Sequence, residues 1–485
     1  MHTNSRKIPT LAAFCSLYGV AGASLALSCV LFLALRYGGS LALAGIGAAI
    51  AGLLAVLLHP FVFFTFYFGA LFFADTRLPG VPLSVNQIFA ILFLISYASY
   101  WIRGRTIRIK SHITPWLTLM AVYFAASAFF GESPEQGRLL ARYVVIYYLL
   151  ALFLASCIRS ERALYAYAWI IVTLTFGAAC AGLIEAFQKG TFLAFAGKIT
   201  DAVRVKGATS TANVFGWNLV FAYPFAFFLF CQVRRKVWRF VALAMGVFCL
   251  FIALLSLSRQ TLVVVLLELL VCARLFRYPS RRLLLTIIAG FFVAGALLVA
   301  PSIVARFISV TRLSRDYSYL ERRDSAIICF EVIKAKPIWG VGLGSFTAVW
   351  RNYLPADYRT FFAQYIEASR PRAPDEGYLQ ITAEGGIVGL VIFLAFAGAV
   401  CVQALRIRRV ALAHEDNLAF NLGALVLALM IQFLATTFTD DTFLYVRVWL
   451  IYPLALLLDK RMLFSSPEEK TLSAKLSETS EEPFT

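Results

Sequence analysis

Asp375 and Glu376 stand side by side in PRAPDEGYLQITAEGGIVGL, residues 371–390, immediately before a long apolar run. Pro371 and Pro374 each fix their own φ and turn the preceding residue away from helix, so the approach to the acids is extended and stiff. Arg142, Arg204, Arg259 and Arg322 stand near the ends of other apolar runs. A guanidinium offers a fork of donors matched to phosphate oxygens. Arginines and acids presented on one face suit a reaction with a phosphate leaving group and a hydroxyl nucleophile. Blander readings stand beside this one. The acids could pair with Arg370 or Arg372, and Arg259 could snorkel to lipid phosphate.

The elements that must carry these residues are membrane helices. The chain has 485 residues, 61% hydrophobic and 14% charged, against about half and about a quarter for a soluble domain. Apolar runs near 11–35, 41–58, 60–74, 86–102, 113–130, 142–158, 164–187, 214–232, 238–256, 261–276, 283–300, 382–404, 418–436 and 442–458 approach the roughly 20 residues that cross a bilayer. Unpaired backbone is not tolerated in lipid, so the expected fold is all-α, a polytopic inner-membrane bundle of about 12–14 helices. The first run has a short basic lead, is too long for a signal-peptide core and reads as the first span.

The net charge of +18 gathers in every second loop: Arg103, Arg105, Arg108 and Lys110; Arg234, Arg235, Lys236 and Arg239; Arg274, Arg277, Arg281 and Arg282; Arg406, Arg408 and Arg409. That is the positive-inside pattern of cytoplasmic loops, and it leaves no basic surface for nucleic acid. The alternation puts both termini inside and residues 301–381 outside. The expected organisation is a bundle over 1–300, a large periplasmic loop over 301–381, three last spans over 382–460 and a disordered tail over 461–485. All four histidines, His2, His59, His112 and His414, fall on the inner side, so outer-face chemistry must proceed without imidazole. Of nine cysteines only Cys329 lies in a long polar loop, which gives neither a disulfide framework nor metal-ligand spacing.

The large loop is expected to hold an amphipathic helix, with Ala326, Ile327, Phe330 and Ile333 at helical spacing and Arg322, Arg323 and Asp324 in its first turns. Lys336-Pro337 ends it. Gly340, Gly342 and Gly344 then read as a tight turn packing backbone closely, or less aptly as a phosphate loop, since no strand precedes them. SLSRQT, residues 256–261, is a minimal turn between two spans that puts Arg259 at the bilayer surface.

Four stretches resemble segments of the bacterial O-antigen ligase and O-antigen polymerase superfamily. GATSTANVFGWNLVFAYPF (207–225) is similar to its segment around an asparagine, here Asn213. SLSRQT resembles its Ser-Arg turn. RRDSAIICFEVIKAKPIWGVGLGSF (322–346) resembles its Arg–helix–Pro–Gly-x-Gly-x-Gly signature, and DEGYLQITAEGGIVGL its His-Asn-x-Tyr-Leu…Glu-x-Gly-x-x-Gly segment. The resemblance implies that Arg259 and Arg322 hold an undecaprenyl diphosphate; Arg204, read from its place near a run end, is expected to join them, with Asn213, Gly340, Gly342 and Tyr378 shaping the site. Asp375 occupies the place of the ligases' proposed catalytic histidine and Glu376 that of the following asparagine. Ala326 stands where the family has tryptophan.

The implied reaction moves a glycan from undecaprenyl diphosphate to an acceptor hydroxyl at the periplasmic face, with inversion and with no cofactor or metal. Arginines would neutralise the diphosphate. Asp375 first, and Glu376 second, would take the acceptor's proton. The implied partners are the undecaprenyl-diphosphate-linked glycan, an acceptor glycan or lipid A core, and the bilayer. The missing histidine favours polymerase over lipid A core ligase. A small-solute, bicarbonate-like transporter is the alternative of another class; it would place charges mid-span at broken helices. Glu185 and Glu268 read as lying towards span ends, leaving Arg447 as the best intramembrane charge.

Overall fold

The computed structural model describes residues 65, 68, 69, 111–158, 160–189, 204–207, 209, 211–278, 290, 317–355, 374, 376–438 and 449–458. The runs expected at 11–35, 41–58 and 86–102 lie outside these residues, as do nearly all of 60–74 and 283–300, the 461–485 tail and Asp375. Among the described residues every regular element is a helix, and six are long and apolar enough to cross a membrane.

The chain runs back and forth between two ends of a bundle. Helix α1, Thr114–Phe130, opens with proline in its first turn, where the missing N–H costs nothing. Gly131 leaves it in extended conformation and α2, Pro134–Cys157, returns. Helix α3, Glu161–Gln188, starts where the Ser160 side chain accepts from the Ala163 N–H at 3.2 Å. Thr211 caps α4, Ala212–Val220, in the same way, and α5, Ala222–Gln232, continues the span past a break at Phe221. Helix α6, Lys236–Leu254, rises beside α5, and Ser258 caps α7, Arg259–Leu275, which returns. Each such cap satisfies a backbone donor and contributes about 1 kcal/mol.

Helix α8, Tyr317–Ala335, and the short α9, Phe346–Val349, follow, with a 3-10 turn over Trp350–Tyr353. Helix α10, Gly377–Ala413, descends the full bundle, Asp416 caps α11, Asn417–Thr437, and α12, Ile451–Leu457, closes the described chain. The α4–α5 span is the most enclosed, because it is apolar on every side (Phe215, Phe225, Phe227 and Phe228 are all buried) and so has no face to offer water. The expected 214–232, 238–256, 261–276 and 418–436 runs thus appear as helices within a few residues of their anticipated limits.

Three expectations need correction. The buried face of α8 is Asp324, Ile328, Cys329 and Val332, while Phe330 is exposed and Ala326, Ile327 and Ile333 are only half-buried. The apolar stretch Ile327–Phe330 permits several faces, and packing against Val341, Phe346, Trp350 and Ala383 selects one. Helix α10 starts at Gly377, several residues earlier than the run at 382–404 indicates, because its first turns are buried among protein rather than lipid. Glu268 lies not near a span end but mid-helix in α7, with no exposed surface.

The backbone of α10 breaks at Gly386, with φ 64° and ψ −173°. An unbroken helix would bond the Ile387 and Val388 N–H groups to the Ala383 and Glu384 carbonyls. Here Ile387 and Val388 donate instead to the carbonyls of Pro337 and Ile338, at 2.9 and 3.4 Å. Ala383 and Glu384 accept from the Val341 and Gly342 N–H groups, at 3.0 and 2.8 Å. The loop after α8 therefore takes up these four backbone groups, and the Tyr123 hydroxyl donates to the next carbonyl, of Gly385. Irregular backbone at membrane depth requires such satisfaction.

Candidate functional site

The glycine loop is clamped from its other side by the α1–α2 turn. Glu132 donates its N–H to the Val341 carbonyl at 2.8 Å, and Ser133 donates its N–H to the Ser345 Oγ at 3.0 Å. Gly342, with φ 94°, lies so close to that turn that a Cβ would come within 2.3 Å of the Gly131 Cα. The Glu132 carboxylate accepts from the Tyr353 hydroxyl at 2.7 Å and faces Lys336 at 3.5 Å. Burial, reinforced by that hydrogen bond and the Glu132 charge, pushes the Tyr353 phenol up to about 12, so its proton stays in the bond. The N–H groups of residues 340–343 are all engaged within the protein. That leaves them nothing to offer a phosphate, and these residues hold the loop against the two helices.

A second cluster forms where α3, α4, α6 and α7 meet at the same end of the bundle. Arg204 donates Nε to the Ser256 carbonyl at 3.1 Å and Nη2 to the Asn213 Oδ1 at 2.8 Å. Its own carbonyl accepts from Lys189 Nζ at 3.1 Å, and Lys189 pairs with Glu185 at 2.6 Å. The other Glu185 oxygen accepts from the Gly207 N–H at 2.6 Å. The end of α3 thus positions the 204–207 segment, and the segment places a fixed guanidinium against the SLSRQT turn. Leu257 in that turn adopts φ 51°, an uncommon conformation for a branched side chain. Arg259 follows as the first residue of α7, half-buried. Beneath lie the Ser256 and Thr261 hydroxyls, buried with no hydrogen-bond partner among the described residues and pressed against Gly216.

The predicted residues therefore fall into separate groups. Arg204, Asn213 and the Arg259 turn come together. Gly340 and Gly342 sit at the α10 break. Arg322 is half-buried on α8 and makes no hydrogen bond or ion pair among the described residues. Glu376 is half-buried at the N-cap of α10, and its carbonyl accepts the Gln380 N–H at 2.9 Å. Tyr378 donates to the Leu434 carbonyl at 3.0 Å with its ring edge-on to Phe393 and Phe438, which ties the start of α10 to α11.

Sequence reasoning passed over the Lys189–Glu185 pair, Ser256 and Gln380. Gln380 is buried one turn after Glu376, with its side-chain oxygen unpartnered. Polarity inside the DEGYLQ segment was its only available signal. Among the described residues no group of three or more His, Cys, Asp or Glu side chains is gathered as for a metal ion.

Antiparallel apolar spans and a broken helix refilled by backbone define a polytopic helical membrane protein, with a cationic cluster at one end of the bundle. Residues 244–394, about a third of the chain, match the family model described as O-antigen ligase, which supports the resemblance to the O-antigen ligase/polymerase superfamily. The match spans the SLSRQT turn, the glycine loop and the α10 break, and it implies a glycosyltransferase-type enzyme that handles glycan in a membrane. No curated protein matches the chain.

Proposed function

We propose that the protein transfers a glycan from undecaprenyl diphosphate to an acceptor sugar hydroxyl at the periplasmic face of the inner membrane, as a polysaccharide or O-antigen polymerase. The observation that carries this reading is Arg204, locked by Asn213 and the Ser256 carbonyl in the turn that bears Arg259. The fixed Arg204 guanidinium, with Arg259 on the turn beside it, supplies positive charge where a departing diphosphate needs it, and fixed dipoles or charges cost no reorganisation during reaction. Arg322, with no hydrogen bond or ion pair among the described residues, completes the diphosphate site in this reading, and the arginines serve in place of a metal ion. Asp375 takes the acceptor's proton, with Glu376 beside it, and inversion follows from direct attack on the anomeric carbon.

The family description favours a second reading, in which the same site joins glycan to lipid A core as a ligase. A deletion strain separates the two. Loss of polymerase leaves single repeat units on the acceptor or no polymer, whereas loss of ligase leaves long chains on undecaprenyl diphosphate. The first outcome is expected, and long lipid-linked chains would reassign the protein to ligation.

The mechanism is tested by purified variants acting on lipid-linked glycan. Arg259→Ala should abolish transfer without loss of expression, and Arg259→Lys should recover little, because it lacks the bidentate fork. Asp375→Asn keeps the shape without the base and should slow transfer by roughly 10² to 10⁴-fold, with a smaller effect from Glu376→Gln. Normal transfer by Arg259→Ala would reduce that residue to an interfacial anchor, and normal transfer by Asp375→Asn would remove it from the chemistry.

A further inference from the structure

We propose that Arg277 and Arg408, at the end of the bundle opposite the candidate site, form a binding site for the headgroup of an anionic phospholipid. Both guanidiniums lie over one ring, that of Phe420, at 4.9 and 4.5 Å from its centroid. Three neighbouring residues of α11 build this arrangement. Phe420 is the shared platform. Asn421, buried, accepts the Arg277 N–H at 2.9 Å and donates to the Arg277 carbonyl at 3.3 Å, which fixes the backbone just after α7. Gly423 leaves room for the Arg408 stem, since a Cβ there would lie 2.6 Å from the Arg408 Cγ.

Among the described residues the charges are held without counter-charges. Arg408 spends Nη2 on the Leu275 carbonyl at 2.8 Å, and its Nε is buried with no partner. Arg277 reaches only the Asn417 Oδ1, at 3.3 Å. Among the described residues neither has a carboxylate within ion-pair distance, and the nearby Asp416 carboxylate accepts the Ala419 N–H as a helix cap. Two cations fixed around one ring repel each other, and a phosphodiester accepting from both relieves that repulsion through charge-assisted hydrogen bonds.

A lipid fits better than a soluble anion. The site lies where α7, α10 and α11 end, at the level of a bilayer surface. Leu405 and Leu412, one turn to either side of Arg408 on α10, are exposed, as is Leu270 on α7, and these offer acyl chains an apolar wall. Exposed Arg274, Arg406 and Arg409 surround it. Basic pockets between spans are suited to acidic headgroups.

The full-length protein, delipidated in dodecyl maltoside, is titrated with dioleoyl phosphatidylglycerol or dioleoyl phosphatidylcholine. Bound lipid is counted by native mass spectrometry and the melting temperature is followed in parallel. Phosphatidylglycerol should bind about tenfold more tightly, Arg277→Gln should weaken it about fivefold, and Arg277→Gln/Arg408→Gln should erase the preference. Arg274→Gln/Arg406→Gln removes as much charge from the same end but leaves Phe420 flanked, and should retain the preference. Equal binding of the two lipids, or a preference surviving the loss of Arg277 and Arg408, would overturn the proposal. So would loss of the preference in the Arg274/Arg406 control, or the same thermal shift from glycerol 3-phosphate alone. The single Arg277→Gln change touches an exposed side chain and keeps the test decisive if the double variant does not fold.

Discussion

Arg204 shows how the site depends on single side chains. Its guanidinium donates to the Ser256 carbonyl and to the Asn213 side-chain oxygen. A hydrogen bond to a charged group contributes about 1.5–3 kcal/mol, so Asn213→Ala should slow transfer roughly ten- to a hundredfold if Arg204 contacts the transition state. Asn213→Asp keeps the acceptor oxygen and should retain orientation while cancelling part of the charge. Rates on lipid-linked glycan, with expression followed by immunoblot, check both, and unaltered transfer by Asn213→Ala would detach Arg204 from the reaction. Asn213 was legible in the sequence only through its resemblance to a family segment. Arg204 was a candidate in its own right, but its contact with Asn213 was not legible, because Arg204 lies on a loop whose course is set by Glu185 and Lys189 on α3.

At the scale of elements, the break in α10 and the glycine loop are one structure. Each supplies the backbone partners the other lacks. Gly386→Ala would put a Cβ 2.1 Å from the Ile338 carbonyl oxygen at φ 64°, and Gly342→Ala one 2.3 Å from the Gly131 Cα at φ 94°. The backbone strain alone costs on the order of 1–3 kcal/mol, and the clashes add to it. Both variants should melt well below the parent in detergent. Gly398→Ala, on the same helix but with nothing within 4 Å of the added Cβ, should be neutral or slightly stabilising. Equal melting of all three would mean that the loop and the break do not depend on each other.

For the whole molecule, contacts sort by end. Residues 131–133 and 341–345 meet at one end, as do Arg204 and Ser256, while Gln232, Arg277 and Arg408 meet α11 or its flank at the other. That sorting agrees with the alternation of basic loops. In a cysteine-free background, Ala348→Cys, which is exposed, should label with an impermeant reagent in cells with a permeabilised outer membrane. Ala413→Cys, exposed at the other end, should label only after the inner membrane is opened. The reverse pattern would invert the molecule and place the candidate site in the cytoplasm.

Composition and periodicity were enough for the membrane class, the helical fold and the positions of most described spans, because a lipid solvent forces backbone pairing within each segment and so makes spans a local property. The order of the signature segments carried the resemblance to the superfamily, which the family match over residues 244–394 supports. What only tertiary structure decided were relations between distant residues. Nothing local announces that Pro337 and Ile338 accept the N–H groups released at Gly386, or that α8 turns Ile328 rather than Phe330 inward. Glu268 read as terminal although the run at 261–276 already centres on it, and the observed limits of α7 agree with that run. Arg277 and Arg408 each read as one more basic loop residue, 131 positions apart in the chain; their meeting over Phe420 depends on α7, α10 and α11 packing side by side.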